Sequence, residues 1–595
     1  MTELFEPISE HDWRLTRSAG GLLRAFNDGH LLTASDIHVA TRVAELGGED
    51  DDSVLLAVAL AVRAVRRGSV CLDLAEVAEA APELPWPDPA GWRNAVRGSP
   101  LVEAGALRWD LDRLYLDRYH RLETQVHDDL VTRAGRPAPD VDESRLARAS
   151  ALVDGARVSA EQLAAAQDAT RRWTTILTGG PGTGKTTTVA RMLVLMADQA
   201  AAQGRSLSIA LAAPTGKAAT RLQEAVEAGL AEIAATSAEA RQAAGLVGHP
   251  PGLTLHRLLG WRPDNATRFR HDRTNRLKYD VVVVDESSMV ELTMMSRLLE
   301  ALRDDCRLLL VGDPKQLTSV GAGAVLSDLV AGYDGSAESP VRALTENFRS
   351  EQDIKALAEV LRAGTADEVL ERLRAPSDQV EFVETSSQAE AEEVLRPACL
   401  SAALAVLAAA QDEDPAGALR ALDQHRLLCA HREGPHGVRR WNRLVERWLA
   451  EQPDADVGGE WYVGRPLLVT SNDYALDVYN GETGVVVRQG HRRRAFISGS
   501  ERLKELAPGR LDAVETMHAL TIHKSQGSQA ERVSVLLPDQ DSRLLTRELF
   551  YTGVTRAQKH VRVVGTEAAI RAAVETEANR ATGLRQRLAA GPSPS

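Results

Sequence analysis

Between the apolar run Trp173–Leu177 and the helical run Val189–Met196 lies Gly179-Gly180-Pro181-Gly182-Thr183-Gly184-Lys185-Thr186, followed by Thr187. The spacing fits G-x-x-x-x-G-K-[ST], and the strand–loop–helix setting is the one in which that pattern holds phosphate. Glycines let successive backbone N–H groups turn inward onto phosphate oxygens, at a helix N-terminus that already favours anions. Lys185 would reach the β- and γ-phosphates of a nucleoside triphosphate, and the Thr186 hydroxyl would hold Mg²⁺. Further on, four valines (Val281–Val284) deliver Asp285 and Glu286 at a strand end. That is where ligands bind in an open α/β sheet. Asp285 would hold Mg²⁺ through water, and Glu286 would polarise the attacking water. A third run, Leu308–Val311, ends in Gly312-Asp313-Pro314-Lys315-Gln316-Leu317. The amide of Gln316 can donate to a γ-phosphate and accept from a water, so it is placed to sense the nucleotide.

These groups need rigid elements behind them, and the pattern from about residue 150 supplies them. Short apolar strands alternate with helices, as expected of a parallel α/β core, at Leu207–Ala212, Val281–Val284, Leu308–Val311, Leu427–Cys429, Val533–Leu537 and Val561–Val564. Residues 1–130 are mainly helical in periodicity, with short extended pieces at Val70–Leu74 and Arg113–Leu116. The Pro/Gly/Asp-rich stretch Gly135–Asp140 marks a domain edge. A zone of short strands at about 455–515, with turn signals at Gly464–Pro466 and Asn480–Glu482, reads as a small β-insertion.

The chain of 595 residues is 44% hydrophobic, enough for three or four domains. Its four cysteines form no C-x-x-C pair, which argues against disulfides, structural zinc and an iron–sulfur cluster. The acidic start Met1–Trp13 has no secretory pattern, and the longest apolar run, Val54–Val62, is too short to span a bilayer. A cytoplasmic protein without a membrane partner is expected. The formal net charge of −14 is a weak argument against nucleic acid, because a local basic groove is enough to track a phosphate backbone.

The ordered set of motifs resembles the superfamily 1 DNA helicases, specifically their RecD-like branch (superfamily 1B). Gly179–Thr188 resembles motif I, Ala213–Ala219 motif Ia, Thr254–Gly260 the element after it, Asp285–Met289 motif II and Gly312–Leu317 motif III. Thr345-Glu346-Asn347-Phe348-Arg349 is similar to motif IV, Thr521–Gly527 to motif V and Tyr551–Ala557 to motif VI. The match runs from about 160 to 580.

The resemblance implies an α/β fold with two RecA-like P-loop domains, a small SH3-like β-insertion and a mainly helical N-terminal domain. The implied division is 1–135 for N-terminal partner docking, 136–350 for the first RecA-like domain, and 351–595 for the second with its insertion. It implies ATP and Mg²⁺ as cofactors. Arg349 and Arg556 would come from the second domain to meet charge that develops on the γ-phosphate, worth roughly 10³–10⁵-fold in rate. Gln162 is positioned like the adenine-reading glutamine of these helicases. Thr215, Lys217, His256, Thr521, His523 and Lys524 would contact single-stranded DNA through phosphate and sugar, without sequence readout. Taken alone, His256 and His523 read as buried, satisfied histidines. The basic stretch Arg268–Arg273 reads equally as a strand-splitting hairpin and as a solvated loop. At Gln529 the family usually carries an acid that accepts from a ribose hydroxyl; the amide still accepts, but the charge is gone.

Within the branch, Leu114–Tyr119 and Leu427–Val438 look like the alpha subunit of the RecBCD exonuclease V complex. That class implies a 5′→3′ motor in a heterotrimer with RecB-like and RecC-like subunits, working in double-strand break repair and end processing. The alternative is the stand-alone RecD-like helicase, whose N-terminal extension is longer and carries helix-hairpin-helix elements. A non-motor binding protein is disfavoured by the intact Lys185, Asp285, Glu286, Gln316, Arg349 and Arg556. No cluster of acids plus lysine outside the motor suggests a nuclease.

Overall fold

The computed structural model describes residues 11–591 except 17, 155–157, 263–264, 319–320, 337, 347–351, 454, 474, 500–502, 543 and 579. Its centre is a six-stranded sheet in the order Val341–Leu344, Thr174–Gly179, Arg307–Gly312, Val281–Val284, Ile209–Ala213, Gly252–Thr254, parallel throughout. A parallel sheet needs cover on both faces, so its strands read as continuous apolar runs. The valine strand shows this directly. Val281 and Val283 join the cluster under helix Lys185–Ala202, whereas Val282 and Val284 join the one under helix Leu292–Ala301.

A second parallel sheet follows, ordered Val380–Glu384, Ala557–Gly565, Ala530–Leu536, His425–Cys429, Ala519–Thr521. Both sheets are RecA-like α/β cores. Between helix Val438–Ala450 and strand Ala519–Thr521 the chain builds the expected β-insertion. It is a five-stranded antiparallel sheet, Leu503–Leu506, Arg492–Ser498, Thr483–Gln489, Pro466–Val469, Val514–Thr516, with its own core of Leu467, Val486 and Ile497. Helix Gln388–Gln411 is by length and composition able to cross a membrane. Here its Leu395, Cys399, Ala403 and Leu407 pack against helix Val438–Ala450 in the core of this half.

The N-terminal part forms helices Gly21–Asp28, Ala34–Gly47, Asp52–Arg66, Pro89–Arg97 and Pro100–Glu103, and a small sheet of Cys71–Leu72, Arg113–Leu116 and Leu107–Asp110. Asp51 caps the third helix by accepting from Ser53 N at 2.7 Å, and the run Val54–Ala64 is buried on all sides, which makes it the core of this part.

Two boundaries differ from the sequence expectation. Helix Asp117–Ala134 does not belong with the N-terminal cluster alone. Its Leu122, Val126 and Leu130 share the core that covers Val282 and Val284 of the first sheet. Nor do the last residues stay with the second sheet. Ala581 O accepts from Val70 N at 2.8 Å, and helix Leu584–Ala590 lies on helix Val325–Gly332, where a Cβ on Gly332 would come within 2.8 Å of Leu588 Cβ. This strap is locked by Glu123, a fully buried carboxylate that accepts from Gly583 N at 2.9 Å and Arg587 Nε at 3.0 Å.

Removing one partner of a buried ion pair leaves an uncompensated charge, at a cost of about 3–5 kcal/mol. Arg587→Met is therefore expected to lower the unfolding free energy by about 3 kcal/mol, read from urea denaturation. A change below about 0.5 kcal/mol would show that the strap bears no load.

Candidate active site and single-strand track

The loop Gly180–Gly184 joins strand Thr174–Gly179 to helix Lys185–Ala202. Gly184 sits at φ +76°, and a Cβ there would lie 2.3 Å from Nε2 of Gln162, so both the backbone and the space require glycine. Lys185 Nζ donates to Gly179 O at 2.7 Å and to Gly180 O at 2.9 Å, a resting position over the loop it would leave for phosphate.

Asp285 and Glu286 follow the valine strand as expected. Asp285 Oδ1 accepts from Glu286 N at 2.8 Å, and burial, reinforced by the neighbouring Glu286, raises the Asp285 carboxyl above its ordinary value. Glu286 itself has left-handed backbone, φ +51° and ψ +41°. For a non-glycine residue this costs roughly 1–3 kcal/mol and persists only where the surroundings hold it. Gln316 is 5% exposed, and its Oε1 has no partner among the described residues. An orphaned buried acceptor facing a cavity is a socket for a donor, and water or a ligand can fill it.

Lys185, Thr186, Thr187, Asp285, Glu286 and Gln316 line one cavity. Its opposite wall comes from the second sheet, through Gly527, Gln529 and Arg556. Arg556 is 4% exposed and held by its Nε donating to Thr552 O at 3.1 Å; burial lowers its pKa, while Glu286 opposes that shift. Arg349, the other expected arginine, lies outside the described residues. The two halves are stitched by three buried bonds: Tyr551 OH donates to Asp313 Oδ2 at 2.8 Å, Leu317 N to Thr552 Oγ1 at 3.0 Å, and Gln526 Nε2 to Leu317 O at 2.7 Å.

Gln162 has a bracing role that the sequence reading did not include. It is 3% exposed, its Nε2 donates to Thr183 O at 3.0 Å, and its Oε1 accepts from Ser159 N in a capping box. The amide therefore braces the phosphate loop, and each end keeps one hydrogen-bonding position that these contacts do not use.

Of the six residues expected on the single-strand track, five lie at or just beyond the C-terminal ends of strands Ile209–Ala213, Gly252–Thr254 and Ala519–Thr521. Thr215 caps helix Gly216–Ala234, and Thr521 Oγ1 accepts from Lys524 N at 3.2 Å. Lys524 is exposed and pairs with Glu515 at 3.0 Å. His256 and His523 are partly buried, and desolvation lowers both, aided at His523 by Arg580. The His256 ring meets Phe269 edge-on at 5.8 Å, on the strand Asn265–Phe269 that pairs with Trp261–Arg262, so the basic stretch begins in a hairpin. Lys217 is the exception. It lies in the first turn of helix Gly216–Ala234, its ammonium is 3.6 Å from Asp423 across the interdomain cleft, and burial pushes it down to about 8. Sequence reasoning missed Arg221, which also lines the cavity. A mid-helix arginine carries no local signal for that.

Three family descriptions match the chain: "AAA domain" over residues 162–322, "UvrD-like helicase C-terminal domain" over 516–564, and "RecBCD enzyme subunit RecD, N-terminal domain" over 28–115. The RecBCD enzyme subunit RecD of Mycolicibacterium smegmatis is 54% identical over 575 residues, covering 95% of this chain and 99% of that protein. The Haemophilus influenzae protein of the same name is 33% identical over 69% of each chain. The ATP-dependent RecD2 DNA helicase of Deinococcus radiodurans is 31% identical over 83% of this chain and 61% of its own. Among solved structures, a Bacteroides Pif1 helicase in complex with ADP-AlF3 and ssDNA aligns at 17% identity and a TM-score of 0.37, covering 71% of this chain and 92% of that one.

The geometry of Gln162 makes a direct prediction. Gln162→Leu should weaken nucleotide binding severalfold by loosening the loop, yet leave the preference for ATP over GTP unchanged in competition titrations. Loss of that preference would return Gln162 to the base.

Proposed function

This chain belongs to the RecD family, and we propose that it is an ATP-dependent 5′→3′ single-strand DNA translocase and helicase, the motor subunit of a RecBCD-type helicase–nuclease complex. One observation carries the reading: the cavity draws Lys185, Glu286 and Gln316 from one parallel sheet and Arg556 from another. A site divided in this way can be completed only when the two sheets approach, which converts nucleotide occupancy into relative motion.

The chain's own groups divide the work. Backbone N–H groups of Gly182–Lys185 and the Lys185 ammonium hold the triphosphate, and Arg556, with Arg349, meets the charge that grows on the transferred phosphoryl group. Glu286 orients and deprotonates the attacking water. The hard oxygens of Thr186 and Asp285 suit Mg²⁺, and the cavity lining offers neither thiol nor imidazole for a softer ion. When bound, that ion would neutralise charge on the phosphate oxygens. Thr215 and His256 on one side, and Thr521, His523 and Lys524 on the other, supply neutral and cationic donors for a phosphate backbone. Alternating grip between the two sides, timed by the cleft, gives stepping along a strand. The RecB-like and RecC-like partners follow from 54% identity along nearly the whole length and from the match of residues 28–115 to the RecD N-terminal domain.

Glu286→Gln is expected to lower DNA-stimulated phosphate release by about 10²–10⁴-fold while ATP still binds. An undiminished rate would sink the assignment. Unwinding of substrates with a 5′ but not a 3′ tail would support the polarity. Co-purification with two large subunits supports the complex, and a fully active monomer speaks against it.

A further inference from the structure

The first turns of helix Gly216–Ala234 hold two positions of interest close together. Its N-cap is Thr215, on the proposed strand track, and little more than a turn later Arg221 reaches into the nucleotide cavity. The Arg221 guanidinium does not stay on its own domain. Nη1 donates to Gly527 O at 2.9 Å and Nη2 to Gln529 Oε1 at 3.0 Å, both in the turn that follows Thr521–Lys524. That turn is seated directly on the helix start. Gly527 has φ +71°, and a Cβ there would stand 3.2 Å from Ala218 Cβ and 3.6 Å from Thr215 Oγ1. Gln529 Oε1 also accepts from Gln558 Nε2 at 3.4 Å, so the amide is held from the second sheet while Arg221 grips it from the first.

We propose that Arg221 is a positioning residue that couples the nucleotide site to the DNA track. It clasps the Gly527–Gln529 turn to the helix that begins at Thr215. The two halves of the track therefore move as a unit only while the clasp is held. The chemistry makes this clasp sensitive to nucleotide. Its two acceptors are neutral, whereas a triphosphate brings charged oxygens into the same cavity. Hydrogen bonds to charged acceptors are roughly twice as strong as neutral ones. A bound triphosphate thus competes for a group that fastens the Gly527–Gln529 turn to the helix beginning at Thr215. Lysine cannot substitute, because only the planar fork offers two donors in fixed directions.

The inference rests on the motor reading, and one titration separates the two. The full chain is titrated with a labelled oligothymidine, with and without a non-hydrolysable ATP analogue, and the ratio of the two DNA affinities is the readout. Coupling between sites is commonly about 5–150-fold. In the unsubstituted chain a ratio well away from one is expected; failure to bind the oligothymidine at all overturns the motor reading and this inference together. Arg221→Ala should bring the ratio at least about fivefold closer to one. Gln529→Leu, which removes one acceptor without touching the arginine, should do so in part, and the double variant should be no worse than Arg221→Ala alone. Arg221→Lys keeps the charge and guards against a folding defect; it should fall between the two. If DNA binds and couples normally in Arg221→Ala, if the single effects multiply in the double variant, or if lysine restores the full ratio, the clasp is wrong while the motor reading stands.

Discussion

The buried hydrogen bond from Tyr551 to Asp313 fixes the distance at which two separate parallel sheets face each other. Burial beside Asp313 holds the phenol far above its ordinary value, so it stays a neutral donor, and Asp313 takes a second bond from Lys315 N at 3.0 Å. Everything catalytic hangs on that spacing. Gln316 follows Asp313 on the same turn, and Arg556 follows Tyr551 on the helix end. The bond therefore sets where the phosphate sensor and the arginine stand relative to one another. Neither sheet alone forms the cavity.

Local backbone chemistry then aims the groups. Gly184 accepts a left-handed conformation at no cost, whereas Glu286 adopts one at a cost that the valine strand and the Ser287 hydroxyl, bonded to Val284 O at 2.8 Å, must sustain. The two positions mark different strategies at one site. The phosphate loop is made permissive, and the water-orienting carboxylate is held by force in a direction that relaxed backbone would not give.

Much of this was legible from residue types. The strands announced themselves by apolar runs; Lys185, Thr186, Asp285, Glu286 and Gln316, legible from motif spacing, line one cavity with Arg556, which only the family resemblance pointed to. Pattern failed where a residue's partner is remote. Gln162 sits at a motif-like distance from the loop, and its bonds to Ser159 and Thr183 give it a bracing role that pattern did not announce. Lys217 meets Asp423 across the cleft, a partner that no local pattern announces. The strand Val341–Leu344 was invisible because it is short and only partly buried at the sheet edge. The closing helix was assigned to the wrong half because its anchor, Glu123, is more than 400 residues away in the chain.

The strap formed by that closing helix has a mechanical meaning. It fastens the chain's end to the N-terminal cluster and to the first sheet at once, so those parts share one foundation while the second sheet is attached to it through the cleft. In engineering terms the first is a stator and the second a rotor. A subunit docked on the N-terminal cluster would feel the motor's torque only as reaction force through a rigid mount, and would keep its register however far the other half swings.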